Sequence, residues 1–478
     1  METLEQKTVR GVAWNLIERF GARGMTFVLG IFLARLLTPA DYGLIAMIYV
    51  FFAVADVFVT GGFGAAYIQK KEVSAYDSDT VFYSNLFISL AIYAIFWISA
   101  PAIAKFYEQP SLIGIARVMG LVLIINAFNL IQMSQVIRDV DFKRKTNVSL
   151  FAAFVSGVAG IATAYVGFGV WSLVVQQMAN RLFATLGFWI TSKWRPGLKF
   201  SLNSFNSLFS FGFWILASGL IRTIFDNVYL LVIGKFFPAA QLGFYSKAKQ
   251  FKIMASEEAS SAVGAVAFPV LSQLQDDKLR LKQALRKFLT HTIVFVAPLS
   301  VLLIVVAKPF VILLLTEKWA PMIPYMQLLF VTGILYPIHA VNVQVLKAIG
   351  KSDLNFRLEI IKNCLRIINI LVMYRFGVVF IIIGEIIVSI LSLIVNTYYT
   401  KRLLFYGIFE QLNDIRPILL SAAISGLAGY ITIYYIGSMY LQLFIGSFLT
   451  ATVYLALQYL SNKELFLQIV KLKESFVK

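Results

Sequence analysis

Cysteine is almost missing from this chain. The single one, Cys364, rules out an intrachain disulfide and any metal site that needs two thiolates. It lies in an apolar segment, where a buried and inert thiol is expected. Histidine is as scarce. His291 and His339 have neither a second His nor a Cys at ligand spacing, so no metal centre can be argued on them. Charged residues make up only 14% of the chain, against ~25% in a soluble domain. No Walker motif appears, and no Ser or Thr stands in a nucleophile motif. ATP hydrolysis by the chain itself and covalent catalysis are thereby disfavoured, and the expectation is a protein that is not an enzyme and carries no cofactor. The connectors between apolar runs are short. A membrane glycosyltransferase or polymerase usually builds its site in a large exterior loop, and none is long enough here.

What the chain has in quantity is apolar sequence. Hydrophobic residues reach 59% and the mean hydropathy is +0.79. They come in runs of the length that crosses a bilayer core. The runs predict an all-α integral membrane protein with fourteen spans, at roughly 12–35, 43–68, 80–104, 112–135, 148–167, 170–192, 208–234, 243–270, 290–315, 322–346, 356–375, 378–400, 417–436 and 440–460. The first run follows a short polar start without a cleavage site and reads as a retained helix.

The net charge of +18 would point to nucleic acid in a soluble protein; here it is topogenic. With the N-terminus in the cytoplasm, 26 of the 42 Lys and Arg fall in cytoplasmic segments and 5 in exterior ones. That asymmetry places both termini in the cytoplasm.

One junction is written twice. ARLLTPADYGL, from Ala34, and GKFFPAAQLGF, from Gly234, align without gaps at an offset of 200, and Trp14 meets Trp214 in the same register. At an offset of 208, Phe168, Gly169 and Val170 meet Phe376, Gly377 and Val378, each marking a tight turn between the fifth and sixth helix of a half. Six helices separate the copies, so both enter the membrane in the same direction. The expected organisation is a parallel repeat of two six-helix lobes, 1–200 and 201–405, followed by two further helices in 406–478. Two such lobes with a cleft between them suit alternating access.

The remaining 11 basic residues lie within or at the edges of spans. A charge at mid-bilayer depth costs at least ~2.5–3.5 kcal/mol, so it normally faces a polar cavity or a partner. Asn15, Arg19 and Arg23 recur every four residues on the first helix, and Ser218, Arg222 and Asp226 do so on the seventh. Lys249, Lys252 and Ser256 mark a third stripe, with Glu257 and Glu258 near mid-depth and Asp56 at a comparable depth in the second helix. Arg19, Arg23, Arg222, Lys249 and Lys252 are the candidate substrate-binding cations. Local neutralisation of Arg222 by Asp226 is the competing reading. A cleft with surplus cations fits an anion, phosphate above all, because Arg offers it a forked donor array. The same surplus disfavours the alternative of multidrug or organic-cation efflux. Beyond Pro417 the last two spans carry no charge up to Asn462, as expected of a lipid-facing appendage.

Two motifs imitate chemistry. RDVDFKRK, from Arg138, contains Asp-x-Asp, but in a short basic loop. GGFGAA, from Gly61, lacks the strand and the Lys of a phosphate loop, and close helix packing explains it better.

The stretches LLTPADYG (Leu36 to Gly43), GGFGAAYIQKK (Gly61 to Lys71) and RDVDFKRKT (Arg138 to Thr146) resemble the polysaccharide transporters of the MOP exporter superfamily, the Wzx-type flippases, in their WzxC-like branch. The resemblance covers most of residues 10–200 and weakens thereafter. It implies a MATE/MurJ-like architecture in the bacterial inner membrane. It implies transfer of undecaprenyl-pyrophosphate-linked oligosaccharide repeat units, destined for O-antigen, capsule or exopolysaccharide, from the cytoplasmic to the periplasmic leaflet. The lipid II flippases of the superfamily use arginines on their first helix, which Arg19 and Arg23 match in kind. Drive by an ion gradient is expected, with Asp56, Glu257 and Asp226 as candidate coupling residues. The implied partners are the lipid-linked glycan, the bilayer, and the polymerase and chain-length machinery of the pathway.

Overall fold

The computed structural model describes the backbone of residues 4–461 and 463, and side chains at Trp14 and from Gly21 onward except at 265 and 266. It divides into two compact units, Met1–Gly243 and Phe244–Lys478. Every regular element among the described residues is helical. A bilayer offers the backbone no water, so each segment must satisfy its own N–H and C=O groups.

The first unit holds α1 (Leu4–Leu36), α2 (Pro39–Thr60), α3 (Phe63–Gln69), α4 (Ala75–Tyr107), α5 (Leu112–Arg138), α6 (Phe142–Tyr165), α7 (Trp171–Thr191) and α8 (Leu202–Phe236). α9 (Ala239–Lys252) starts in the first unit and continues into the second, which holds α10 (Glu258–Gln273), α11 (Lys278–Val305), α12 (Ala307–Leu315), α13 (Ile323–Ala348), α14 (Ser352–Met373), α15 (Val378–Leu404), α16 (Ile408–Tyr434) and α17 (Met439–Ser461). This packing division groups α8 with α2, α3 and α4. It is a different partition from the lobes at 1–200 and 201–405, which were read from the repeat.

Ten helical segments are long and apolar enough to cross a membrane among the described residues. The other expected spans fall on α1, α7, the α9–α10 segment and α14. The first half of α1 lies outside the described side chains. The remaining three carry the polar load, such as Gln176, Gln177 and Arg181 on α7, and Glu359, Lys362 and Arg366 on α14.

Local chemistry sets the junctions. Thr38 caps α2: its hydroxyl accepts from Asp41 N–H, and Asp41 Oδ2 accepts from Thr38 N–H at 2.8 Å, with Pro39 in the first turn. Ser74 and Asp77 repeat the device at α4. Gly169 and Gly377 both take positive φ, at +53° and +105°, as turns in that backbone region favour. α2 stops at Thr60, so GGFGAA straddles a break rather than lying inside one helix. Gly62 and Gly212 there bring α8 against the broken backbone, and a Cβ on Gly212 would lie 2.8 Å from the Gly62 carbonyl carbon.

The duplicated junctions touch each other. A Cβ on Gly43 would lie 1.8 Å from the Ala239 carbonyl oxygen, and one on Gly243 would lie 1.9 Å from that of Pro39. Each glycine thus meets the residue 200 positions displaced from the partner of the other.

In the second unit, Leu281, Leu285, Leu289 and Ile293 of α11 pack at four-residue spacing with Ile338 and Val341 of α13 and Ile415 and Ile418 of α16. Tyr454 of α17 donates to the Val294 carbonyl at 2.8 Å. The last two helices are therefore tied into the core of the unit rather than appended to it. Cys364 is exposed, not buried. α14 buries its polar face, with Lys362 and Asn363, and turns its apolar face outward, as a bilayer favours.

Candidate functional site

Polar groups of the second unit gather around Lys252, the last residue of α9. The next five residues, Ile253–Glu257, form a π-turn, in which the Glu258 N–H bonds the Ile253 carbonyl. Such turns concentrate at functional positions. The wider turn aligns Lys252 with Glu257, and their Nζ–Oε1 distance is 2.9 Å. Glu385 of α15 lies 3.9 Å from the same ammonium and accepts a hydrogen bond from the Tyr245 hydroxyl at 3.1 Å. One buried ammonium is therefore held between two carboxylates. A buried charge survives only with such pairing. Ser256, buried beside it, lies 3.3 Å from Ser300. Gly333 of α13 makes room, since a Cβ there would come within 2.5 Å of the Ser256 hydroxyl.

His339 of α13 sits between two side chains of α15. Asn396 donates to Nδ1 at 3.0 Å, which leaves Nε2 to donate to Ser389 at 3.1 Å. It is a satisfied interior histidine. On α14, Lys362 pairs with Glu359 at 2.9 Å, and Arg366 donates to Asn363 at 3.0 Å.

In the first unit Asp56 of α2 accepts from the Asn126 amide of α5 at 2.7 Å, and the charge of Arg181 on α7 acts on it. Arg23 is exposed on α1, and Arg222 and Asp226 are exposed on α8. Among the described residues Arg222 forms no ion pair, so the local neutralisation weighed for it is not seen. Lys249 is half-buried on α9. Arg19 belongs to α1, but its side chain lies outside the described residues. Of the candidate residues, the structure brings Lys252 and Glu257 into contact and joins Asp56 to Asn126. Arg23 and Arg222 are exposed.

Residues 32–324 match the family model described as polysaccharide biosynthesis protein, which is more than half of the chain. The chain belongs to this family. The match takes in the three motifs that carried the resemblance and continues past residue 200, further than those motifs alone reach. The succinoglycan biosynthesis transport protein ExoT of Rhizobium meliloti is 27% identical over 356 residues, 74% of this chain and 72% of that one. The lipopolysaccharide biosynthesis protein WzxC of Escherichia coli is 25% identical over 403 residues, 83% and 81% of the two chains. Among solved structures, the lipid II flippase MurJ in an inward closed conformation matches with a TM-score of 0.76 over 93% of this chain and 98% of that chain, at 17% identity. An inward-facing MATE-family multidrug resistance transporter of the MOP superfamily gives 0.63 over 82% and 98%, at 14% identity. At these identities the likeness is one of fold.

The motifs of the family region have structural work to do in this chain. Arg138 donates to the carbonyls of Tyr67, Lys70 and Lys71 and so closes the C-terminus of α3. Lys70 pairs with Asp77 at 2.7 Å. Asp141 accepts from the Arg144 N–H at 3.2 Å and caps α6. One carboxylate of the Asp-x-Asp is thus a helix cap.

Asn126, Tyr245 and Glu385 are not among the candidate residues read from the sequence. The available signal was composition: Glu385 is the single acidic residue between 378 and 400.

Proposed function

We propose that this protein is a flippase. It moves oligosaccharide repeat units on undecaprenyl pyrophosphate from the cytoplasmic to the periplasmic leaflet of a bacterial inner membrane, by alternating access driven by an ion gradient. The observation that carries this reading is an exposed arginine, Arg222, at the mid-length of a 35-residue helix in a polysaccharide biosynthesis family member. A cation held there without an ion pair among the described residues is suited to an anionic substrate. Arg19 and Arg23 of α1, and Lys249 and Lys252 of α9, are the further cations assigned to the pyrophosphate. Asp56, Asp226 and Glu257 are assigned to coupling. The reading takes all fourteen expected helices as spans with both termini cytoplasmic, and the lobes as the two copies of the repeat. The reciprocal glycine contact supports that repeat. An organic cation would be repelled by the same side chains.

The test uses proteoliposomes and a short-chain fluorescent polyprenyl-pyrophosphate disaccharide, scored by accessibility to an impermeant reagent. Translocation by the native protein under an imposed proton or sodium gradient, lost in Arg23→Ala and Arg222→Ala, is the expected result. No movement across a panel of glycans and both gradients, with the protein shown folded, overturns it.

A further inference from the structure

The duplicated junction pairs Trp14 with Trp214, and the structure treats the two tryptophans differently. Trp14 is half-buried: the Lys143 ammonium sits over its ring at 5.9 Å, and Thr146 bonds its carbonyl. Trp214 is 73% exposed, and its ring contact is with its own neighbour Phe213 at 5.7 Å. The indole is therefore open on a helix where the corresponding ring is covered.

Trp214 shares a face of α8 with exposed Ser218, Arg222 and Asp226, at successive intervals of four residues. Hydrocarbon is a costly surrounding for such a face. Nor does Trp214 stand where interfacial tryptophans do. Residue 219 is the midpoint of α8. With that midpoint set at the bilayer centre, Trp214 lies ~7.5 Å and Arg222 ~4.5 Å from the midplane, inside a core of ~15 Å half-thickness. An open indole at that depth, on a polar face with an arginine, needs an occupant that is apolar on one side and polar elsewhere.

A pyranose ring has that character. Its axial C–H bonds form an electropositive apolar face that matches the negative face of an indole, while its hydroxyls stay hydrated. Trp214 and Arg222 are about 12 Å apart along the helix. A phosphate linked through a glycosidic oxygen to two successive sugar rings covers a distance of that order. We infer that Trp214 is a sugar-stacking platform: it holds a ring of the glycan while Arg222, two turns further along α8, binds the phosphate. This rests on the flippase reading and assigns the glycan its contact on this chain.

The experiment measures binding of two probes to the purified, detergent-solubilised full chain. One is a short-chain polyprenyl pyrophosphate bearing a glucose–galactose disaccharide; the other is the same lipid pyrophosphate without sugar. For the native protein the sugared probe binds more tightly. Trp214→Ala weakens the sugared probe by about tenfold and leaves the sugarless one unchanged. Trp214→Phe, which keeps a π face, recovers most of the loss. Arg222→Ala weakens both probes. Equal loss of both probes in Trp214→Ala, or no loss of either, overturns the stacking role. Absence of binding of either probe to the folded native protein instead overturns the flippase reading on which it rests.

Discussion

Gly43 and Gly243 occupy the same place in two copies of one junction, and each is held against the backbone of the other copy. The neighbour of Gly43 is the Ala239 carbonyl and that of Gly243 is the Pro39 carbonyl. A side chain on either glycine would meet a rigid peptide oxygen, so no rotamer change can make room. Gly43→Ala and Gly243→Ala should each destabilise the protein by about 1–3 kcal/mol, toward the upper end. Because they share one contact, the double variant should cost less than the two losses combined. Thermal unfolding in detergent of the two single variants and the double variant reads this directly, and strict additivity would refute a shared contact.

Lys252 is the hub of an ion cluster whose removal leaves two carboxylates facing each other. Lys252→Ala should cost on the order of 3–5 kcal/mol. Glu385→Gln retains the Glu257 pair and should cost less. Combining Lys252→Met with Glu257→Gln and Glu385→Gln should restore much of the stability while leaving the site without charge. Yield of folded protein from membranes and its melting curve decide the ranking.

The loop between α15 and α16 carries a clasp. The Tyr406 hydroxyl donates to Asp414 at 2.7 Å, and Arg286 of α11 pairs with the other oxygen of Asp414 at 2.5 Å. Burial first, and then the hydrogen bond to Asp414, raise the Tyr406 phenol above its ordinary value. Above pH ~10 the unfolded chain ionises this group while the native one keeps its proton, so stability falls as pH rises through that range. Tyr406→Phe should cost about 1.5–3 kcal/mol at neutral pH, as for a hydrogen bond to a charged group, and should flatten that alkaline decline. Unfolding followed from pH 7 to 11 tests both parts.

Asp141 is engaged as a helix cap, so the Asp-x-Asp of the loop between α5 and α6 should hold no catalytic metal. Asp141→Ala should lower stability by ~1 kcal/mol. Asp139→Ala should leave glycolipid translocation at the native rate, with and without EDTA. A glycan product, or a requirement for manganese, would point to an enzyme instead.

Ten of the expected spans were legible because each is an apolar run that no soluble fold would tolerate. Their internal breaks were not. Gly61–Gly62 and Val306 interrupt helices at places where hydropathy does not change. α11 starts at Lys278 rather than near 290, because charged residues between Leu281, Leu285 and Leu289 masked a four-residue period. The stripes of Arg23, Arg222 and Lys249 could be read from spacing alone. The partner of Asp56 could not: Asn126 is 70 residues away, and no local pattern connects them. The fate of Cys364 was misjudged by a rule for water-soluble proteins, in which apolar surroundings mean burial.

The π-turn after Lys252 has one consequence for how this segment can change. In an unbroken α-helix, residues five apart point about 140° away from each other around the axis. Lys252 and Glu257 meet at this spacing because the turn takes up one residue more than a regular helix would. Deleting a single residue between 253 and 256 would bring the two to four-residue spacing, at which an ordinary α-helix also keeps side chains on one face. The ion pair can therefore outlive the turn: the extra residue is an insertion that the cluster absorbs, and a regular helix with the same pair is one deletion away.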